Sequence, residues 1–195
     1  PKRHTFGKMT MEVFDETGKS IVKLSPGKSK GMNFVTWNYR MSQPKVAKGK
    51  TLARGGLTSP RVKEGRYNIV INKGRDSFSK SIYVSDDPST NLDSNEKKLK
   101  YETTMKLYNL SEELAYVVYT IDEMLSSDTI KKGVKNKLQT IKESMVITTG
   151  DNYVGTAENE LREDLLDLYS KLASSYDKPS QNDLANLSIV EDEYN

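Results

Sequence analysis

Cysteine is absent from this 195-residue chain, so disulfides, thiolate metal sites and cysteine nucleophiles are excluded and stability has to come from packing. Histidine occurs once, as His4, which rules out a His pair for zinc and a Ser-His-Asp triad of the ordinary kind. Its place beside the first residues reads as an exposed tail. No stretch approaches the roughly 18 apolar residues that a membrane span needs. Pro1-Lys2-Arg3-His4 is not followed by the apolar run of a signal peptide, and the start reads as truncated, so an export signal could lie upstream. What remains, 35% hydrophobic and 29% charged residues, suits one moderate core or two small ones.

Acidic residues are scarce in the first part only. Residues 1–85 hold 18 Lys and Arg against 5 Asp and Glu, whereas residues 86–195 hold 12 against 22. A net +3 chain therefore divides near Pro88 into a basic part and an acidic one, a charge asymmetry that points to partners.

The hydrophobic period changes at the same place. From Met9 to Val84 it is about two, with Gly, Asn, Asp and Pro between short runs, the pattern of strands and turns. Met9–Phe14 and Ile21–Leu24 flank Asp15-Glu16-Thr17-Gly18-Lys19 as a hairpin. Tyr67, Ile69 and Ile71 alternate before the turn Asn72-Lys73-Gly74-Arg75, and Phe78, Ile82 and Val84 alternate after it, with Lys80 as an edge or snorkelling position. Between the hairpins, Gly31–Arg40 is expected as a strand with Val35, Trp37 and Tyr39 on one face and Trp37 as the central core residue. Ser42 to Ser59 is polar and Lys-rich and reads as a long loop.

Beyond Asp86-Asp87-Pro88-Ser89 the period is helical. Ser94 is the expected cap of a helix running to about Leu125, on the order of 45–50 Å long at 1.5 Å per residue. Leu107, Leu110, Leu114, Val117, Ile121 and Met124 follow the three–four spacing of a bundle seam. A second helix after Ser127-Asp128-Thr129 places Ile130, Val134, Leu138, Ile141 and Met145 on one face. A third, Glu158 to Ser174, presents Leu161, Leu165, Leu168 and Leu172; a short fourth follows Pro179-Ser180 with Leu184, Leu187 and Val190. The expected fold class is α+β and multidomain: an immunoglobulin-like β-sandwich over 1–88 and an antiparallel three- to four-helix bundle over 89–195.

Four segments, in order, resemble the C-terminal region of large bacterial proteins with sortilin-like β-propellers, often labelled glycosyl-hydrolase-like repeat proteins. They are Phe14–Lys19, similar to that family's first hairpin; Gly31-Met32-Asn33-Phe34-Val35-Thr36-Trp37-Asn38-Tyr39-Arg40, similar to its Gly-Leu-Asn-x-x-x-Trp strand; Val62–Tyr67, similar to its Pro-Gly-x-Tyr motif, with Glu64 in place of the proline; and Asp87-Pro88. The resemblance spans nearly the whole chain. It implies a sandwich like that of the flagellar hook-capping protein, an exported, periplasmic or cell-surface bacterial protein, and an accessory module that adjoins a β-propeller. It carries over no catalytic residue, because the Ser-x-Asp-x-Gly-x-x-Trp turn of propeller blades is missing.

Catalytic chemistry finds little to work with. Asp86 and Asp87 are adjacent and point to opposite faces if extended, and the helical acids fall mostly on outer positions, so no facing pair for glycoside hydrolysis is read. Pro26-Gly27-Lys28-Ser29 matches only a fragment of a phosphate loop, without a following helix, and Asp151-Asn152 lacks the ligand pattern of a calcium loop. No cofactor or metal is expected. The expected function is a non-catalytic protein-interaction or scaffolding module. The alternative is a carbohydrate- or polyanion-binding module using Lys45, Lys48, Lys50, Arg54, Arg61, Lys63 and Arg66 as a basic patch, with Tyr39 or Tyr67 for stacking.

Overall fold

The computed structural model describes residues 7–50, 57–148 and 160–194. The fold is α+β. Among the described residues there are four strands, β1 (Met9–Phe14), β2 (Ser20–Leu24), β3 (Gly65–Lys73) and β4 (Asp76–Val84), and four helices, α1 (Ser94–Ser126), α2 (Lys132–Met145), α3 (Leu161–Ser174) and α4 (Gln181–Tyr194). The chain separates into two compact units, a sheet unit of Pro1–Ser42 with Ser59–Asn91, and a helical unit of Gln43–Thr58 with Leu92–Asn195. Against the expected 1–88 and 89–195, the basic segment 43–58 groups with the helices and the later boundary falls after Asn91.

In the sheet unit the strands form one antiparallel sheet in the order β2-β1-β3-β4. The first turn is built by Asp15, whose Oδ1 accepts from the backbone N–H groups of Thr17 and Lys19, both at 2.9 Å, while Gly18 takes φ +82°. The second is a two-residue turn between the paired Lys73 and Asp76, with Gly74 at φ +61°. Residues opposite one another in register share a face. The apolar face is therefore made of cross-strand rows, Leu24–Met11–Ile71–Phe78 and Val22–Val13–Ile69–Lys80, with Tyr67 opposite Ile82. Lys80, expected at an edge, lies on the edge strand.

Gly31–Arg40 does not form the expected strand. Its single ladder contact is a bridge from Arg40 to Arg61. Tyr39 sits in the left-handed region at φ +56°, which breaks the extended alternation, and Trp37 turns its Nε1 to the Arg40 carbonyl at 2.9 Å. Trp37 is half-buried; Val13, Pro60 and Tyr67 are buried more deeply, and Trp37 meets the Tyr67 ring edge-on at 5.5 Å. Met41 N–H to Pro60 O and Ser42 N–H to Ile21 O, both 2.9 Å, hold the following residues against the unit.

In the helical unit, the cap of α1 lies one residue before the expected one. Asp93, not Ser94, accepts from the N–H groups of Asn95 and Glu96, and Glu96 returns a bond to Asp93 N–H, a complete capping box. The buried stripe of α1 runs through Leu107, Ser111, Leu114, Val118 and Ile121, so Leu110 and Val117, expected in the seam, flank that stripe instead and Met124 is 42% exposed. Ser111 can occupy the core because its Oγ donates to the Leu107 carbonyl at 2.8 Å. In α3 all four expected leucines are buried, and Leu166 and Tyr169 with them. By contrast α2 buries no residue fully: Val134 and Ile141 are 47% and 45% exposed, and Ile130 precedes the helix.

Candidate interaction surfaces

The seven basic residues of the expected patch do not fall on one unit. Arg61, Lys63 and Arg66 belong to the sheet unit; Lys45, Lys48 and Lys50 belong to the helical unit; Arg54 lies outside the described residues. Counted by unit, the sheet part holds 14 Lys and Arg against 7 Asp and Glu, and the helical part 16 against 20. The opposition of charge is thus about half as strong as a cut after residue 85 makes it.

Within the sheet unit the three basic residues are themselves divided. Arg66 pairs with Tyr83 on the face opposite Tyr67, because β3 alternates. Tyr67 is 3% exposed and its hydroxyl donates to the Lys63 carbonyl at 2.8 Å, which withdraws it from any stacking role. Tyr39 keeps that role open: it is 55% exposed and braced edge-on by Trp37 at 5.3 Å. On the other face Tyr83 donates to Glu64 Oε1 at 2.5 Å, and this bond to a carboxylate raises the phenol's pKa.

The apolar face of the sheet is covered at one end only. Val13 is fully buried, but in the neighbouring row Leu24, Met11 and Ile71 are half-buried and Phe78 is 59% exposed. Met32 and Phe34, in the segment that replaces the expected strand, are 81% and 87% exposed. Isolated exposed apolar residues are ordinary; it is a contiguous apolar patch that marks an interaction surface.

The segment 43–50 of the helical unit is pinned by a buried arginine. Arg162, in the first turn of α3, donates from Nε to the Ala47 carbonyl at 2.7 Å and pairs with Glu163, while Ala47 is itself 4% exposed in the helical core. Lys45 N–H reaches Glu112 at 3.2 Å and Lys50 N–H reaches the Ile147 carbonyl at 2.9 Å. The Tyr169 hydroxyl holds the far end at Thr58 O, 2.7 Å away. Lys45, Lys48 and Lys50 project from this strap as exposed side chains. Nothing in the sequence singles out Arg162, since Leu-Arg-Glu-Asp-Leu is equally the pattern of a solvated helix start.

Between α3 and α4 lies a cleft of about 370 Å³ lined by Asp164, Asp167, Leu168, Lys171, Asp183, Asn186, Ile189 and Val190. Lys171 and Asp183 close on each other at 2.6 Å, and that bond, with those from Ser180, holds the Asp183 carboxyl below its usual range. The carboxyls of Asp15, Asp87 and Glu96 are likewise held down by hydrogen bonds. Such groups are anionic anchors for turns and caps, the opposite of a proton-donating acid. Among the described residues no group of three or more His, Asp or Glu side chains could hold a metal ion, and no helix is long and apolar enough to cross a membrane.

No family model, curated protein or solved structure matches the chain. The likeness to sortilin-like propeller proteins rests on its four sequence segments alone.

Proposed function

We propose that this chain is a non-catalytic accessory module of an exported bacterial protein, working by protein–protein or interdomain contact. The observation that carries the reading is the half-covered apolar face of the sheet, ending in Phe78, together with the exposed Met32 and Phe34. In this reading the sheet is one layer of an immunoglobulin-like sandwich. The segments that carry Trp37, Met41 and Pro60 supply part of the second layer, and a partner surface, such as an adjoining β-propeller, supplies the rest. The helices form an antiparallel bundle. Supporting that are the bonds from Lys100 near the start of α1 to Ser175 at the end of α3, and from Lys178 before α4 back to Glu96.

The test is a photoreactive phenylalanine analogue in place of Phe34 in the full protein in its own cells. A discrete adduct mapping to one surface is expected, and none from the same analogue at Lys137, an exposed position on α2. Equal, diffuse labelling at both positions would refute the reading.

A second reading, a polyanion- or carbohydrate-binding module, is favoured by the basic excess of the sheet unit and by Tyr39 beside Arg61, to which Arg40 is bridged. It requires binding to heparin or DNA that falls steeply with salt. No retention at low salt removes it.

A further inference from the structure

We infer that β4 is a self-pairing edge: two copies of the chain join antiparallel along Asp76–Lys80, related by a two-fold axis at Phe78. This inference rests on the interaction-module reading and names one partner for it.

Of the two edges of the sheet, only β4 is open. The β2 edge has five residues and is met by Ser42 N–H at Ile21 O, whereas β4 has nine, and among the described residues no ladder or bridge forms on its outer side. Natural edges are blunted by proline, bulges, shortness or an inward-pointing charge. Asp76–Val84 contains no proline, pairs with β3 without a register shift, and is exposed at Asp76 through Ser81. The remaining device is Lys80, which stands on the apolar face. Its charge makes pairing with a second copy selective.

A second copy must keep apolar faces on the same side, so only registers that shift by two residues are allowed. Full overlap of the strands, centred on Lys80, sets Lys80 directly against its own copy, a like-charge pair. Centring on Ser79 sets Phe78 against Lys80 and Asp76 against Ile82. Centring on Phe78 resolves every position: Asp76 meets Lys80 twice, Phe78 meets Phe78, and Ser77 meets Ser79 on the other face. Such a patch is self-complementary, as a two-fold contact requires. Five residues per strand span only about 17 Å. The contact is accordingly smaller than the roughly 1,200–2,000 Å² of stable complexes, and the dimer should be weak and lost on dilution.

The absence of cysteine makes the test clean. Phe78→Cys places one thiol per chain at the axis, where facing Cα atoms about 4.5–5.5 Å apart fall within disulfide reach. Mild oxidation of concentrated protein should give a covalent dimer from Phe78→Cys and little from Ser81→Cys, and sedimentation of the unmodified chain should show concentration-dependent dimers. Lys80→Asp should weaken association about tenfold, the loss of two cross-strand ion pairs, and Asp76→Lys with Lys80→Asp should restore it. Circular dichroism confirms that each variant keeps its sheet. Should Phe78→Cys cross-link no better than Ser81→Cys, or sedimentation find only monomer, the edge pairing is wrong. A discrete adduct at Phe34 in that case leaves the interaction-module reading standing with another partner.

Discussion

Arg162 Nε donates to the carbonyl oxygen of Ala47 at 2.7 Å, tying the first turn of α3 to a strap 115 residues earlier in the chain. The arginine is 6% exposed, so its charge has left water and depends on this carbonyl and on Glu163. Two residues along the strap, a Cβ on Gly49 would lie 3.1 Å from Nη1 and 3.2 Å from Cζ of the same guanidinium.

Gly49→Ala should therefore destabilise the helical unit by about 1 kcal/mol, since the pinned guanidinium has little room to give. Gly49 does not need a positive φ, so with Arg162→Ala in place the same substitution should become neutral or slightly stabilising through a stiffer unfolded chain. Urea midpoints of the four proteins give the coupling. The same cost in both backgrounds would clear Arg162 of the clash.

Arg162→Met removes the guanidinium that pairs with the buried Glu163 and should lower stability by about 3 kcal/mol. Arg162→Met with Glu163→Gln should recover part of that loss. The strap should loosen first, so trypsin ought to cut at Lys48 and Lys50 in Arg162→Met under conditions where the unmodified chain resists. Cleavage elsewhere before the strap would show that Arg162 does not hold it.

Hairpins and helices were legible in the sequence because their signals are local: period two around Gly18 and Gly74, and the leucine stripe of α3, all of which is buried. The seam of α1 was legible only in part. Ser111 lies in the buried stripe because it satisfies its hydroxyl against its own helix, a bond that hydrophobicity does not register, while the apolar Leu110 and Val117 flank it. The strap was illegible for a different reason. A Lys-rich, glycine-containing segment reads as a solvated loop, yet Pro44 and Ala47 are buried, and Ala47 is held by Arg162, 115 positions away. The Gly31–Arg40 strand failed at Tyr39, whose left-handed backbone no residue preference announces. For the same reasons the basic patch, read as continuous in sequence, is divided between two units.

Trp37 is the one tryptophan and lies in the sheet unit, so it reports that unit alone, whereas helical circular dichroism reports chiefly the other. Unfolding in urea followed by the two signals should give separate midpoints. Val13→Ala keeps the tryptophan and hollows the sheet core, so it should shift the sheet transition by about 2 kcal/mol and leave the helical one in place. Coincident transitions that move together in Val13→Ala would mean that the two units unfold as one.

Acid should act on the helical unit through two carboxylates that cap its helices. Glu96 accepts from Lys178 and from Asp93 N–H, and Lys178 is the larger cause of its lowered pKa. Asp183 accepts from Lys171, the larger cause, and from Ser180 N–H and Oγ at 2.9 and 2.7 Å. Both folded pKa values lie below the unfolded ones, so the stability they contribute is fully present above the unfolded carboxylate range near pH 4 and is lost as pH falls through the folded values. Lys178 and Glu96 form a water-facing pair that salt screens, whereas Asp183 is 4% exposed and should dominate. The thermal midpoint of the helical unit should be level from pH 7 to about 5 and fall steeply below about 4. Asp183→Asn keeps a capping oxygen but no titrating charge, so it should lower the midpoint at neutral pH and flatten the acid limb. An acid limb as steep in Asp183→Asn as in the unmodified chain would place the titrating group elsewhere.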